Sequence, residues 1–566
     1  MDVAERIVTY PGLLAVDTET NGKSWHDAGS KVGVVSFAWG ADLEQDAYAT
    51  RNVALSVALL QQRLDSGLRI VLHSSPFDLH HLQNLGLEPD WSLVDDTLIL
   101  ARLRNNLGQN DLKKLGLNLL GIVPKYEEDV KAWLRKNKGG KDYTLVPDEL
   151  LLPYAAEDTR LTWLLHGLLV ADVSPALYAR EMRLQEHMFK AEREGVLTDP
   201  ALIQAKVERV QRERDVLSAK LLQVRGDETF NPGSTQQVSK WLVGELGLSP
   251  LDTTPTGLPK MNELMLVSNP HPATRLLLAW RKRRKALEFL TSYLDLADAD
   301  HVLHPSINTL QARTHRFSIK NPNLQQVPSR NDKFGLREVF ISGEGYFIGA
   351  DYDKQELFIA ACEAQEQQLM TNLAQGVDVY TQMAASMLDK SEASVVPAER
   401  QAAKVAVLSI IYGAGAAKIA ESFALNTGKP YTVPQAKVMR QRFKDMYPGL
   451  SDLMQELQQQ GRRGKLRNRW ERELRVEAGR EYVATDYLVQ SSGRDVLADA
   501  LLNLSEVLPA HGGKLLWPVH DEVIMWMPDP PTPAVLKEVS DAMECTKFQL
   551  PLTASPNVGK TFAQLK

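Results

Sequence analysis

The hydrophobic positions of this chain follow two rhythms. Short apolar runs at Leu13–Val16, Val32–Trp39 and Ile70–His73 read as strands, with helical spacing between and after them. Residues 1 to about 175 therefore predict an α/β unit. Beyond it, Leu184, Met188, Ala191, Val207, Val210, Leu217 and Leu221 recur at helical intervals through a charged stretch, which predicts a long helix over 176–225. Phe230-Asn231-Pro232-Gly233 ends that pattern, and Ser234 or Thr235 is placed to cap the next helix. Residues 236–300 are again helical, interrupted at Thr253–Gly257. Strands return over 301–360, helices dominate to about 505, and strands close the chain. The two late strand-rich parts are expected to form one sheet with a helical insertion. There is no internal repeat and no low-complexity segment.

Acids at the ends of apolar runs give this pattern its chemistry. Asp351, in Gly349-Ala350-Asp351-Tyr352, and Asp521, in Val519-His520-Asp521-Glu522-Val523, both border strands. An acid held at the edge of a core is costly unless a cation meets it. Two such acids with a basic helix between them suggest divalent metals and phosphate, the chemistry of nucleotidyl transfer. That helix opens at Pro397, a residue suited to a first turn. Arg400, Lys404, Leu408 and Tyr412 recur along it every four residues. At about 100° per residue they form a slowly winding stripe. It is able to grip a triphosphate at one end and a base pair at the other.

A second group of acids lies upstream. Asp17 and Glu19 close the first strand and point to the same side of it. Asp78 follows a later strand, and Tyr154 and Asp158 fall four residues apart on one helix face. Four carboxylates from three elements can hold two Mg²⁺ ions about 3.5–4 Å apart, one generating hydroxide and one stabilising the leaving oxygen. Tyr154 would orient the attacking water.

Composition narrows the class. A chain of 566 residues exceeds one core and predicts about three or four units. The longest apolar runs are too short for a bilayer, and no signal peptide stands at the N-terminus. Cys362 and Cys545 suit a reducing compartment and packing roles. The net charge of −6 argues against nucleic acid, but its distribution argues for it. Arg281–Lys285 is a compact basic run, and residues 461–480 hold eight Lys or Arg against three Glu. Beside a metal site, such clusters read as phosphate-tracking surfaces.

Over residues 10–175 the chain resembles the tyrosine-containing DEDD-type 3′–5′ exonuclease domain, which has an RNase H-like fold. Asp17, Glu19, Asp78 and Asp158 match its metal-binding acids and Tyr154 its tyrosine; Ser74 stands where Asn is usual. Over 180–566 it resembles the family A (bacterial DNA polymerase I-like) DNA polymerases. Thr314–Ser318 and Asn321–Pro328 match the segment before the palm, Asp351–Leu357 motif A, Arg400–Gly413 motif B, and His520-Asp521-Glu522 motif C. The resemblance implies an exonuclease domain at 1–175, an opening segment and thumb at 176–300, palm at 301–360, fingers and a palm insertion at 361–484, and the rest of the palm at 485–566. It also implies that Asp351, Asp521 and the Tyr352 carbonyl bind two Mg²⁺ ions, with Mn²⁺ a possible substitute. Arg400, Lys404, Arg337 and Tyr380 would contact the triphosphate, with Lys404 protonating the leaving group. Glu356 would exclude a 2′-hydroxyl and Tyr412 stack at the nascent pair. Arg316 and Gln490 would read minor-groove acceptors, and His520 would contact the primer. The implied protein is a monomeric, proofreading, DNA-templated polymerase. Its partners are primer–template DNA and dNTPs, with a helicase, single-strand-binding or processivity proteins beside it, and it makes no membrane contact.

The departures from the family pattern suggest a phage or mobile-element lineage working in the bacterial cytoplasm. Leu408 replaces a usual Phe or Tyr; slower incorporation and altered dideoxynucleotide discrimination are expected, and a Leu408→Phe variant changing neither would refute this. Asp353, Lys354, Gln355 and Phe358 stand where Ser, Gln, Ile and Arg are usual, and His315 replaces a usual Gly. With about 15 residues before the exonuclease acids, no 5′-nuclease domain is expected. The alternatives are a nuclease whose polymerase half only holds DNA, and a non-catalytic scaffold. The presence of every metal-binding acid weighs against the scaffold.

Overall fold

Five strands build the first sheet, in the order Ala47–Thr50, Val32–Ala38, Leu14–Thr20, Ile70–Leu72, Val94–Asp96. The structure is a computed structural model that describes residues 2–328, 332–428 and 431–565. Leu14–Thr20 runs antiparallel to Val32–Ala38 and parallel to Ile70–Leu72. It is buried along its length except at Asp17, which is partly exposed. The strand continues past the expected end, so Asp17 and Glu19 stand on its body. The Asp148–Leu169 helix packs across this sheet. The two short edge strands were not anticipated, because three or four residues carry too little periodicity.

The long helix expected over 176–225 is two helices, Pro175–Glu194 and Pro200–Arg225. Their apolar spacing is continuous, but Gly195 adopts φ +63°, and a Cβ there would lie 2.6 Å from the Leu303 carbonyl oxygen. This close approach lets Val196–Leu197 pair with Val302–Leu303. Asp199 then caps the second helix, accepting from the Leu202 N–H at 2.9 Å. Pro200–Arg225 lies along Pro272–Leu296, and their far ends enclose a small separate core around Phe230, Trp241, Met265 and Trp280. Ser234 is the N-cap of the helix that begins at Thr235.

The two late strand-rich regions do join. Lys514–Val519, Glu522–Met527, Tyr346–Tyr352 and Ala554–Gly559 form one antiparallel sheet in that order. Residues 301–345 hold fewer strands than expected: in the described residues only the short ladders 302–303, 306–308 and 318–320. Helices fill 355–462, and an unanticipated hairpin, Lys465–Arg467 with Glu473–Arg475, precedes the Ala484–Val507 helix. Among the described residues no helix is long and apolar enough to cross a membrane.

Buried charge ties the Pro175–Glu194 helix to the late hairpin and to the Ala484–Val507 helix. Arg472 donates to Asp495 through Nε at 2.8 Å and through Nη2 at 2.7 Å, and also to Glu181. Arg494 donates to Glu181 at 2.6 Å and Arg180 to Asp495 at 2.8 Å. Four of these side chains, Glu181, Arg472, Arg494 and Asp495, are wholly buried. Asn106, from the N-terminal half, donates to the Arg313 carbonyl at 2.8 Å and accepts from the Arg475 N–H at 2.7 Å.

Candidate active sites

The upstream acids converge as expected, with one displaced. Carboxylate oxygens of Asp17, Glu19 and Asp158 lie within 4.8 Å of one another. Asp78, on the Ser75–Gln83 helix, is buried behind them, and its Oδ1 accepts from Thr18 N at 3.0 Å and Thr18 Oγ1 at 2.6 Å. Thr18 is the residue between the two strand acids, so Asp78 is tied to the strand between them. Helix Ser75–Gln83 starts from Ser74 in the left-handed region, φ +73°. Asn tolerates that region better than Ser, which accounts for the residue usual there. Asp96 fixes the turn by accepting from Ser74 N at 3.2 Å and Ser75 N at 2.7 Å, and it also caps the Thr97–Arg104 helix.

This cluster is short of positive charge. Burial and the neighbouring acids hold the Asp17 carboxyl well above the usual range, and burial with Asp158 does the same to Glu19. Burial pushes Asp78 up to about 7 and Asp158 to about 6. Among the described residues its ion pair is Lys113 Nζ to Asp158 Oδ2, at 3.1 Å. Asp158 Oδ1 is buried without a hydrogen-bond partner. An all-oxygen donor set with an unfilled acceptor and excess negative charge fits a hard divalent cation. Tyr154 stands one turn from Asp158 and stacks with Tyr143, ring centroids 6.0 Å apart.

The second site lies at the edge of the late sheet. Asp351 pairs in register with Glu522, and the Tyr352 N–H donates to the Asp521 carbonyl at 3.3 Å, so both acids occupy one corner. His520 turns the hairpin with φ +59°. Glu522 is buried against Gly349, where a Cβ would sit 2.8 Å from its Oε1. The adjacent helix starts at Gln355 from Lys354 in the left-handed region, φ +55°, and this brings Glu356 to Arg316, its ion-pair partner. Gln490 is held by Thr314 Oγ1, which donates to its Oε1 at 3.1 Å, and by Asp486. Arg316, Gln355 and His520 line one small cleft.

Across from this corner, Pro397–Ile411 presents the expected stripe. Arg400 is paired with Asp378 at 2.7 and 3.0 Å. The Arg400 guanidinium and the Lys404 ammonium lie 5.8 and 5.5 Å from the centroid of the buried Tyr380 ring. Leu408 is half-buried on the same helix, and Tyr412 ends it beside Glu356.

Some expectations are corrected. Arg337 does not reach the surface. It is buried under Phe562, 3.9 Å from the ring centroid, and donates to the Pro328 carbonyl at 3.1 Å and the Val327 carbonyl at 3.3 Å. Its charge is spent on backbone and on nearby Glu522. The basic runs are also largely matched by acids: Arg283 with Glu213, Arg284 with Glu288, Lys465 and Arg467 with Glu473, and Arg469 with Glu363. Three contributors escaped the sequence reading. Lys113 and Asp378 carry no local signal, since each becomes meaningful only through a partner distant in sequence. Asp486, raised to about 6 by burial, faces Arg316 from a helix whose apolar pattern gave no hint of it.

Comparison with known proteins places this geometry. Residues 201–564 match DNA polymerase family A, and residues 2–173 match the 3′–5′ exonuclease family. The DNA polymerase of Mycobacterium phage L5 is 28% identical, over 98% of this chain and 93% of that protein. DNA polymerase I of Treponema pallidum is 26% identical, over 91% of this chain and 53% of that protein. Among solved structures, the POL domain of Pol1 from M. smegmatis, in complex with DNA primer-template and dNTP, superposes with a TM-score of 0.80 at 20% identity, over 98% of this chain and 95% of that one.

Proposed function

Because the chain belongs to DNA polymerase family A and carries a 3′–5′ exonuclease domain ahead of its polymerase domain, we propose that it copies phage DNA and proofreads its own product, using two-metal chemistry at each of two sites. The observation that carries the polymerase reading is the corner shared by Asp351 and Asp521, faced by Arg400, Lys404 and Tyr380. The cluster of Asp17, Glu19 and Asp158 supports the nuclease reading.

In this reading residues 1–175 are the exonuclease, 176–300 lead into and form the thumb, 301–360 and 485–566 make the palm, and 361–484 hold the fingers. Asp351, Asp521 and the Tyr352 carbonyl would hold Mg²⁺, or Mn²⁺ in its place. When bound, such ions lower the pKa of an attacking oxygen and neutralise a leaving one. The remaining work falls to the chain. Arg400 exchanges Asp378 for the triphosphate, and Lys404 donates a proton to the departing pyrophosphate. Glu356, held by Arg316, closes the space a 2′-hydroxyl would need, and Tyr412 flanks the new pair. Gln490 reads the minor groove from its Thr314 and Asp486 supports, and exposed His520 meets the primer. In the exonuclease, Asp17, Glu19, Asp78 and Asp158 would hold the metals, and Tyr154 would align the water. Primer–template DNA and dNTPs are the partners, with replication proteins alongside, in the cytoplasm of a bacterial host.

Primer extension with Mg²⁺ and dNTPs tests both halves. Asp521→Ala is expected to abolish extension and spare single-strand degradation, and Asp17→Ala to do the reverse. A wild-type chain that extends no primer would overturn the polymerase reading.

A further inference from the structure

We propose that Lys113 is a positioning residue of the nuclease site, whose ammonium holds Asp158 and Tyr154 in their working orientation. This rests on the nuclease reading above. Lys113 belongs to the Leu112–Leu120 helix, which Asp111 caps by accepting from the Lys114 N–H at 3.3 Å. That helix lies unusually close to Asp148–Leu169: a Cβ on Gly116 would stand 3.0 Å from Leu161 Cδ2. The close packing carries Lys113 into the acid cluster, where its side chain is only 10% exposed. There Nζ lies 3.1 Å from Asp158 Oδ2 and 3.7 Å from the centroid of the Tyr154 ring. Asp158 and Tyr154 are one helical turn apart, so a single ammonium fixes both, one by an ion pair and one through the ring face.

The two carboxylate oxygens of Asp158 are not equivalent. Lys113 occupies Oδ2 of Asp158, and Oδ1 is the buried atom left without a partner. The carboxylate is thereby turned so that one oxygen faces the ammonium and the other remains for a cation. Tyr143 stacks on Tyr154 as well, so the phenol is held by a ring and by a cation. Charge balance separates positioning from metal recruitment. Four carboxylates and two divalent cations already cancel, so the extra positive charge of Lys113 opposes loading. A residue kept there against that repulsion acts through geometry.

The test follows from this opposition. Lys113→Met in the full chain is compared with wild type in three assays. They are hydrolysis of a single-stranded oligonucleotide, primer extension, and Mn²⁺ binding followed by electron paramagnetic resonance of the free ion, with Asp521→Ala in both binding samples to silence the other site. The expected result is a fall in the hydrolysis kcat of about 10- to 100-fold, Mn²⁺ half-saturation equal to or below that of the parent, and retained extension. In Lys113→Met/Tyr154→Phe the two losses are expected not to multiply, since both act through one group. The proposal is overturned by a kcat within about twofold of wild type, by Mn²⁺ affinity that falls together with kcat, or by losses that do multiply. It is also overturned by a loss of primer extension, which would make Lys113 a folding residue. Failure of the wild-type chain to degrade the oligonucleotide would instead overturn the nuclease reading itself.

Discussion

Two buried acid clusters, one inside the N-terminal half and one in the second half at the junction with it, have opposite electrostatics. At Glu181 and Asp495, three arginines, Arg180, Arg472 and Arg494, surround two carboxylates. Although burial alone would raise both acids, these arginines bring Glu181 down to about 2 and Asp495 well below its usual value. At Asp17, Glu19, Asp78 and Asp158, one lysine faces four acids, and burial raises all four. Burial of acids therefore does not mark a functional site. The missing counter-charge does, because an arrangement that is unfavourable by itself persists where a ligand completes it.

Removing a cation from the satisfied cluster is expected to have the largest effect. Arg472→Met leaves Asp495 and Glu181 short of a partner and is expected to cost about 3–5 kcal/mol of stability in denaturant unfolding; a loss below about 1 kcal/mol would show that the network is not a stabilising unit. Removing an acid from the starved cluster does the reverse. Asp17→Asn is expected to raise the melting temperature of the metal-free chain by a few degrees, as one like-charge repulsion disappears. An unchanged or lower melting temperature would count against the excess of negative charge.

The pH dependence sharpens the contrast. Acids with lowered values bind fewer protons folded than unfolded, so the junction's contribution is complete above about pH 4.5 and is lost as pH falls toward 2. Acids with raised values bind more protons folded, so the metal-free nuclease site favours the fold in full below about pH 4 and loses that contribution progressively as pH rises through about 7. Melting curves in chelator are expected to fall from pH 6 to pH 8, and millimolar Mg²⁺ to flatten that slope. The smallest effect is proton release on Mg²⁺ binding: calorimetry in buffers of different ionisation heat is expected to detect more of it at pH 6.5 than at pH 8.5.

Much of this was legible in the sequence, for a definite reason. The strands carrying Asp17 and Asp351 are apolar runs, and Asp158 and Tyr154 share a helix face by simple periodicity. The joining of residues 346–352 with 514–559 also followed from two strand-rich regions flanking helices. What stayed hidden depends on contacts between distant segments. Arg337 looked like a phosphate ligand because its burial under Phe562 is a tertiary fact. Lys113 carries no signal of its own, because only the close approach allowed by Gly116 brings its helix to Asp158. His315, read as a substitution for Gly, sits at φ +58° and is fully buried. A Gly is usual there because the backbone is left-handed. His repays the strain with two hydrogen bonds, to Arg472 Nη1 and to the Arg102 carbonyl, each at 3.1 Å.

Those two bonds have a consequence for movement. His315 joins a carbonyl of the nuclease half to the arginine at the centre of the junction, and its burial drives its pKa down to about 3, so it stays neutral through the physiological range. Asn106 clasps the same two segments beside it. A hinge between the halves would have to break the His315 bond to the Arg102 carbonyl and the Asn106 clasp, leaving buried polar groups without partners, which is costly. Contacts of this kind resist opening, so in the proofreading reading the frayed end of the nucleic acid travels more than the enzyme does.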